Sequence, residues 1–140
     1  MKTACGARAR SGGFTLIELI IVAVIVGILA AVAIPSYRTH ILKANRAAAE
    51  SFIMNVANKQ EQYMLDARSY ATTLAALGMT TPTEVAQNYG DPVITVSAGP
   101  PPGYTIRATP QGAQAGDPCG YVQIDQTGAK TAAGGTASCW

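Results

Sequence analysis

Charge is scarce in this sequence. Lys, Arg, Asp and Glu make up 13% of its 140 residues, and the formal net charge is only +2. Even that surplus is local, because Lys2, Arg8 and Arg10 all precede Gly13. From Phe14 onward 7 Lys/Arg face 8 Asp/Glu, and a nearly neutral domain gives no support to nonspecific nucleic-acid binding, which draws its affinity from neutralised phosphates. Histidine occurs once, as His40 just past an apolar run, and reads as a solvated or headgroup-level side chain. There are three cysteines, Cys5, Cys119 and Cys139, with no C-x-x-C pair and no Cys/His cluster, a pattern that argues against a zinc site. The acids are scattered without metal-ligand spacing, and no nucleophile–base set can be assembled. Gly134-Gly135 lacks the Lys and helix context of a phosphate loop. These absences argue against an enzyme and leave no cofactor to assign.

Long apolar runs, by contrast, are present. From Leu19 to Ile34 every residue is Leu, Ile, Val, Ala or Gly, and Phe14 to Ile34 spans 21 residues. As a helix that is about 31 Å, close to the ~30 Å hydrocarbon core of a bilayer. Glu18 is the one ionisable residue in it. A carboxylate at the centre of a spanning helix costs roughly 2.5–3.5 kcal/mol, less near an end, so Glu18 asks for a reason. Residues 1–13, basic and ending Ser11-Gly12-Gly13, read as a processing segment outside the fold. An ordinary secretory signal cut near Ala31-Val32-Ala33 is the competing reading, disfavoured by the length of the run and by Glu18. Positive charges before and after the run are matched three to three, so charge counting leaves orientation open.

Beyond Pro35 the helical pattern continues. Ile41, Ala44, Ala48, Phe52, Val56 and Tyr63 fall near one face, widened by Ile53, Ala57 and Met64, while Arg38, Lys43, Arg46, Glu50, Lys59 and Glu61 mostly take other faces. The spacing predicts one helix over 14–66, apolar all round in its first half, with a kink at Pro35. A turn and short helix over 72–77 should close at Gly78, and 80–91 reads as irregular. Strands are expected at 93–96, 104–108, 121–125 and 129–132, with Gly112–Pro118 as a loop. Hairpin-scale links make the sheet antiparallel, so the fold class is α+β: a long helix packed on four strands. Cys119 and Cys139, outside the leader of an exported chain, fit one disulfide, and closing a loop of about 20 residues would stabilise the domain by ~3 kcal/mol.

Gly13-Phe14-Thr15-Leu16-Ile17-Glu18-Leu19, followed by Gly27-Ile28-Leu29-Ala30-Ala31-Val32-Ala33-Ile34-Pro35-Ser36-Tyr37, resembles a type IV pilin over about 25 residues. The resemblance implies cleavage between Gly13 and Phe14 by a prepilin peptidase, then N-methylation of the new Phe14 amine. It implies a basic leader on the cytoplasmic side, a subunit held in the inner membrane with its head in the periplasm, and recruitment by a pilus assembly platform. Polymerisation with other pilin subunits into an extracellular filament for motility, adhesion or DNA uptake follows from it as well. In that family the ammonium of an arriving Phe14 neutralises Glu18 of a subunit already in place. The structural alternative for Glu18 is a helix-terminal acid favoured by the N-terminal dipole. Gly27 and Pro35 bracket a run that in pilins loses helical bonding on assembly; a merely kinked membrane helix is the other reading.

The implied organisation is a leader over 1–13, a polymerisation helix over 14–35 and a head over 36–140. Within the head, the amphipathic helix occupies 36–66, an αβ-loop 67–91, and the sheet with a Cys119–Cys139 loop 92–140. Asp117-Pro118-Cys119-Gly120, Ile124 to Lys130 and Cys139-Trp140 resemble the C-terminal signature of a minor-pilin branch. Major pilin and type II secretion pseudopilin are the alternatives within the superfamily. A membrane-anchored binding module, for example for DNA, is the alternative outside it.

Overall fold

The computed structural model describes residues 13–140, so all of the expected leader except Gly13 lies outside the described residues. One helix, α1 (Leu16–Ala67), takes up 52 residues and continues through Pro35. It begins two residues later than the periodicity predicts because Thr15 caps it: the Glu18 amide donates to Thr15 Oγ1 at 3.3 Å. The chain divides into two units, Met1–Arg38 and Thr39–Trp140. In the described part of the first, the aliphatic side chains of α1 stay in the open, Ile17 at 63% and Leu29 at 64% exposure. Its apolar window has a mean hydropathy of 3.0, long and apolar enough to cross a membrane.

The second unit holds β1 (Val93–Ser97), β2 (Gly103–Ala108), β3 (Val122–Asp125) and β4 (Lys130–Ala132), antiparallel in the order β1-β2-β3-β4. Ile94 opposes Ile106, which opposes Ile124, while Ala108 opposes Val122 and Val122 opposes Ala132. Period-two alternation therefore puts these residues on one face, with Thr95, Thr105, Arg107, Gln123, Asp125 and Thr131 on the other. Ile53 and Val56 of α1 meet the apolar face and are fully buried with Ile106 and Val122. Each such side chain contributes roughly 1.5–3 kcal/mol relative to leaving it exposed.

Three expectations are corrected. The buried face of α1 is Arg46, Ala49, Phe52, Ile53, Val56, Ala57 and Gln60; Ile41 and Ala44 are exposed, and Tyr63 and Met64 only half-buried. The apolar stripe located the middle of this face, but its ends are chosen by polar partners that periodicity does not register. The stretch expected to be irregular carries α2 (Thr83–Tyr89). Val85 and Ala86 donate to the Pro82 carbonyl, and Val85 and Tyr89 are buried in the core, so packing outweighs the punctuation by Pro82 and Gly90. A short α3 (Thr136–Cys139) follows β4, in a stretch to which the sequence reading assigned no element. The 72–77 segment is a 3-10 turn over Ala75–Leu77, closed by Gly78 at φ 66°, and the 112–118 loop contains a second one.

Candidate functional site

The expected processing and register residues lie at the start of α1. Gly13 precedes the helix and is exposed, as is Phe14 at 82%. Glu18 is exposed in the first helical turn. Thr15-Leu16-Ile17-Glu18 has the T-x-x-E spacing of a capping box, and the amide half of that box is formed. The four-residue signal is visible in the sequence, and the bond formed uses the Glu18 backbone amide, not its carboxylate. A Cβ added at Gly27 would meet nothing within 4 Å. Pro35 sits inside α1.

The second half of α1 is fastened to the C-terminal region by buried polar groups. Arg46 Nη1 donates to Asp117 Oδ1 at 2.7 Å, and the Asp117 side chain is 0% exposed. The Cys119 amide donates to the same oxygen at 3.0 Å. The other oxygen of Asp117 accepts from Gln114 Nε2 at 3.0 Å and from the Tyr89 hydroxyl at 3.3 Å. Gln114 also donates to the Leu42 carbonyl and accepts from Asn45 Nδ2. Burial, with the nearby Asp117 charge, pushes the Tyr89 hydroxyl up to about 12. Four donors on one carboxylate let a buried charge persist where an unpaired one would be very costly. Glu50 is less well served: its Oε1 lies 3.5 Å from Arg46 Nε, is buried, and accepts no hydrogen bond. Burial therefore holds the Glu50 carboxyl above its ordinary range despite Arg46.

The expected disulfide is formed. Cys119 and Cys139 are bonded, with their Cα atoms 5.5 Å apart. Close backbone approach beside it requires glycine at 134, where a Cβ would run into the Pro118 carbonyl oxygen. Further along α1, the buried Gln60 amide acts as a surrogate strand: Nε2 donates to the Ala71 carbonyl at 2.7 Å and Oε1 accepts from the Ala71 amide at 2.8 Å. It thereby ties down the segment after the helix, where Tyr70 packs edge-on against Tyr104 at 4.7 Å between centroids.

On the exposed sheet face, the Arg107 guanidinium lies 4.3 Å from the centroid of Tyr121, and its Nε donates to Gln123 Oε1 at 2.9 Å. This preoriented cation on a polar β surface was not singled out by sequence reading, because its partners are 14 and 16 residues away in the chain. At the β3–β4 turn the Thr127 hydroxyl and two backbone amides donate to Asp125, holding its carboxyl below the ordinary range. Among the described residues no group of three or more His, Cys, Asp or Glu could hold a metal ion.

With this geometry in place, the chain can be set beside known proteins. A family model described as "Type IV minor pilin ComP, DNA uptake sequence receptor" matches residues 35–123. A second, "Prokaryotic N-terminal methylation motif", matches residues 8–34. Over 65 residues the chain is 43% identical to a type IV wide pilus major component of Thermus thermophilus, covering 46% of this chain and 50% of that one. It is 39% identical over 66 residues to a type II secretion system core protein G of Aeromonas hydrophila, covering 47% and 46%. It is 36% identical over 77 residues to a fimbrial protein of Neisseria meningitidis serogroup B, covering 55% and 45%. The chain thus spans about half the length of the curated relatives it matches.

Proposed function

Because the chain belongs to the type IV pilin family of the minor pilin ComP, the DNA uptake sequence receptor, we propose that it is a non-catalytic subunit of a type IV filament, polymerised through the first half of α1. That family is one of structural pilins, not of enzymes. The observation carrying the reading is the run of largely uncovered apolar residues from Leu16 to Ile34, in which Glu18 is the one charged side chain. A surface of that kind must be covered, first by lipid and then by neighbouring copies. Cleavage after Gly13 creates a Phe14 ammonium, which is N-methylated. In apolar surroundings that ammonium and the Glu18 carboxylate are each costly alone and strongly attractive together. Their pairing between subunits sets axial register, and the capping contact from Thr15 orients the turn that carries Glu18. The inner membrane, prepilin peptidase and an assembly platform are the partners before assembly, and the head faces the periplasm.

Glu18→Ala tests this directly. Mature protein with an N-terminus at Phe14 should accumulate, while mass spectrometry of sheared surface filaments finds the subunit depleted. Wild-type incorporation of the variant would overturn the pairing, and a mature N-terminus at Ile34 would overturn the filament reading.

A second reading, DNA binding by the head, is favoured by Arg107. Its stack on Tyr121 and its bond to Gln123 engage the ring face and Nε, leaving the two terminal nitrogens without an acceptor among the described residues. Such a fork suits phosphate or a guanine edge. Arg107→Ala should weaken binding of a short duplex followed by fluorescence anisotropy, and Arg107→Lys should restore only part of it. Equal affinity in all three proteins would remove this reading.

A further inference from the structure

Hydrogen-bond alternation decides which backbone groups of the sheet stay unpaired at its two edges. The Gln126 amide donates to the Tyr104 carbonyl at 3.2 Å, so Tyr104 turns its backbone groups toward β3. By alternation Ile106 and Ala108 do the same, while Gly103, Thr105 and Arg107 turn theirs toward β1. Their partners Ser97, Thr95 and Val93 are thereby satisfied, and the amides and carbonyls of Ile94 and Val96 point out of the sheet. Among the described residues none of these outward groups has a hydrogen-bond partner. We propose that this edge pairs with the same edge of a second copy, antiparallel about a two-fold axis at Thr95. The contact lies within the head and does not rest on polymerisation through α1.

The two edges of the sheet differ. β4 is three residues long, and its outward carbonyls are taken: Lys130 accepts from the Thr136 hydroxyl and Ala132 from the Gly135 amide, both at 3.2 Å. β1 is five residues long and runs in unbroken register, with no charge or proline inside it, so it lacks the devices that blunt an edge. The 72–81 segment does not pair with it. Between them lies a cleft of about 620 Å³, with Leu74 and Met79 on one side and Val93 and Ile94 on the other.

Self-complementarity selects the occupant. An axis at Thr95 sets Ile94 against Val96 of the second copy and Val96 against its Ile94, so every outward amide and carbonyl of both residues is bonded. Moving the register by two residues sets Val96 against Pro92, which has no N–H, or Ile94 against Ala98, beyond the strand. With the axis at Thr95, apolar side chains meet on the face toward α1, and the two Thr95 side chains meet on the exposed face. Asp91, an acid just before the strand, falls opposite Gly99, so no like charges are opposed. The contact is isologous and closes on itself, and the occupied β4 edge stops further growth of the sheet. Five residues per copy fall well short of the roughly 20–30 a side of a standard interface. The pairing is therefore weak and depends on copies being held close together.

The test uses the full chain in detergent, with Cys5→Ser so that an added cysteine is the free thiol beside the bonded Cys119–Cys139 pair. Under mild oxidation Thr95→Cys should give a disulfide-linked dimer, because Thr95 faces itself in a non-hydrogen-bonded pair with Cα atoms ~4.5 Å apart. Val93→Cys alone should not link, since its two copies lie on opposite sides of the axis, beyond the ~7 Å limit of a disulfide. Val93→Cys mixed with Ser97→Cys should link. Adding Thr95→Lys to both members of that mixture should slow linking by up to about fivefold, and Thr95→Lys on one with Thr95→Asp on the other should restore it. Val93, Thr95 and Ser97 are exposed, so an unchanged melting temperature separates these effects from unfolding. Absence of the Thr95→Cys dimer, or equal linking by Val93→Cys alone, overturns the proposal. So does a rate indifferent to the charge exchange. Glu18→Ala should leave the link unchanged, and its loss in that variant would make the contact a by-product of α1 association.

Discussion

Arg46 shows how a single residue can contradict the pattern around it and still belong there. It falls on the face of α1 that packs inward, and it is tolerated because Asp117, 71 positions later, meets it at 2.7 Å. Removing one partner alone leaves a buried charge unmatched, so Asp117→Ala should cost about 3–5 kcal/mol in urea unfolding. Replacing both, as Arg46→Met with Asp117→Leu, should recover only part of that, because Gln114 and the Cys119 amide also lose their acceptor. Glu50 behaves in the opposite sense. Its carboxyl is held above the ordinary range by burial, so the folded state binds the proton more tightly than the unfolded state. Its contribution is thus fully present below the unfolded value, near 4.3, and lost as pH rises through the folded value. Glu50→Gln should raise the melting temperature at pH 7, with the difference vanishing at about pH 4. A constant difference across that range would show that burial does not control this carboxyl.

At the level of elements, α1 and the 112–118 loop that leads into the disulfide depend on each other. The loop residues Gln114 and Asp117 contact Leu42, Asn45 and Arg46, and the bridge fixes the Cys119 end of that loop. Replacing Cys119 and Cys139 together by Ser should lower unfolding stability by about 3 kcal/mol on the chain-entropy account. It should also speed amide exchange in 42–46, a helical stretch that a purely local bridge would leave untouched. Strand positions were legible because β-branched and aromatic residues alternate between Gly- and Pro-rich breaks. The helix at Thr83–Tyr89 was not, because seven residues between Pro82 and Gly90 carry too little periodicity to outweigh those breakers. Burial of Val85 and Tyr89 decides it.

Across the whole molecule, the apolar surface and the charge are arranged unevenly. The aliphatic side chains before Pro35 are exposed and those of the head are largely enclosed, so the chain should resist alkaline extraction from membranes and require detergent in solution. From Phe14 onward the charge is close to balanced, with seven cations against eight anions. If the head binds DNA through Arg107, few phosphates are neutralised, and the logarithmic salt slope should be about −1 to −2. A slope of the order of −6 would require a basic surface that this chain does not have.

The sequence by itself determined the membrane-length helix, the acid inside it, the family pattern from Gly13 to Tyr37, the antiparallel strands and the cysteines available for pairing. These are set by local periodicity, turn chemistry and motif spacing, all read over short stretches of chain. Tertiary structure alone decided which residues close the inner face of α1. Gln60 was claimed by the Ala71 backbone, and Arg46 by a carboxylate far along the chain. It likewise decided that Arg107 lies on Tyr121. The physical reason is common to these cases. A polar side chain goes where its hydrogen-bonding partner is, and a partner many residues away leaves no mark in a short window of sequence.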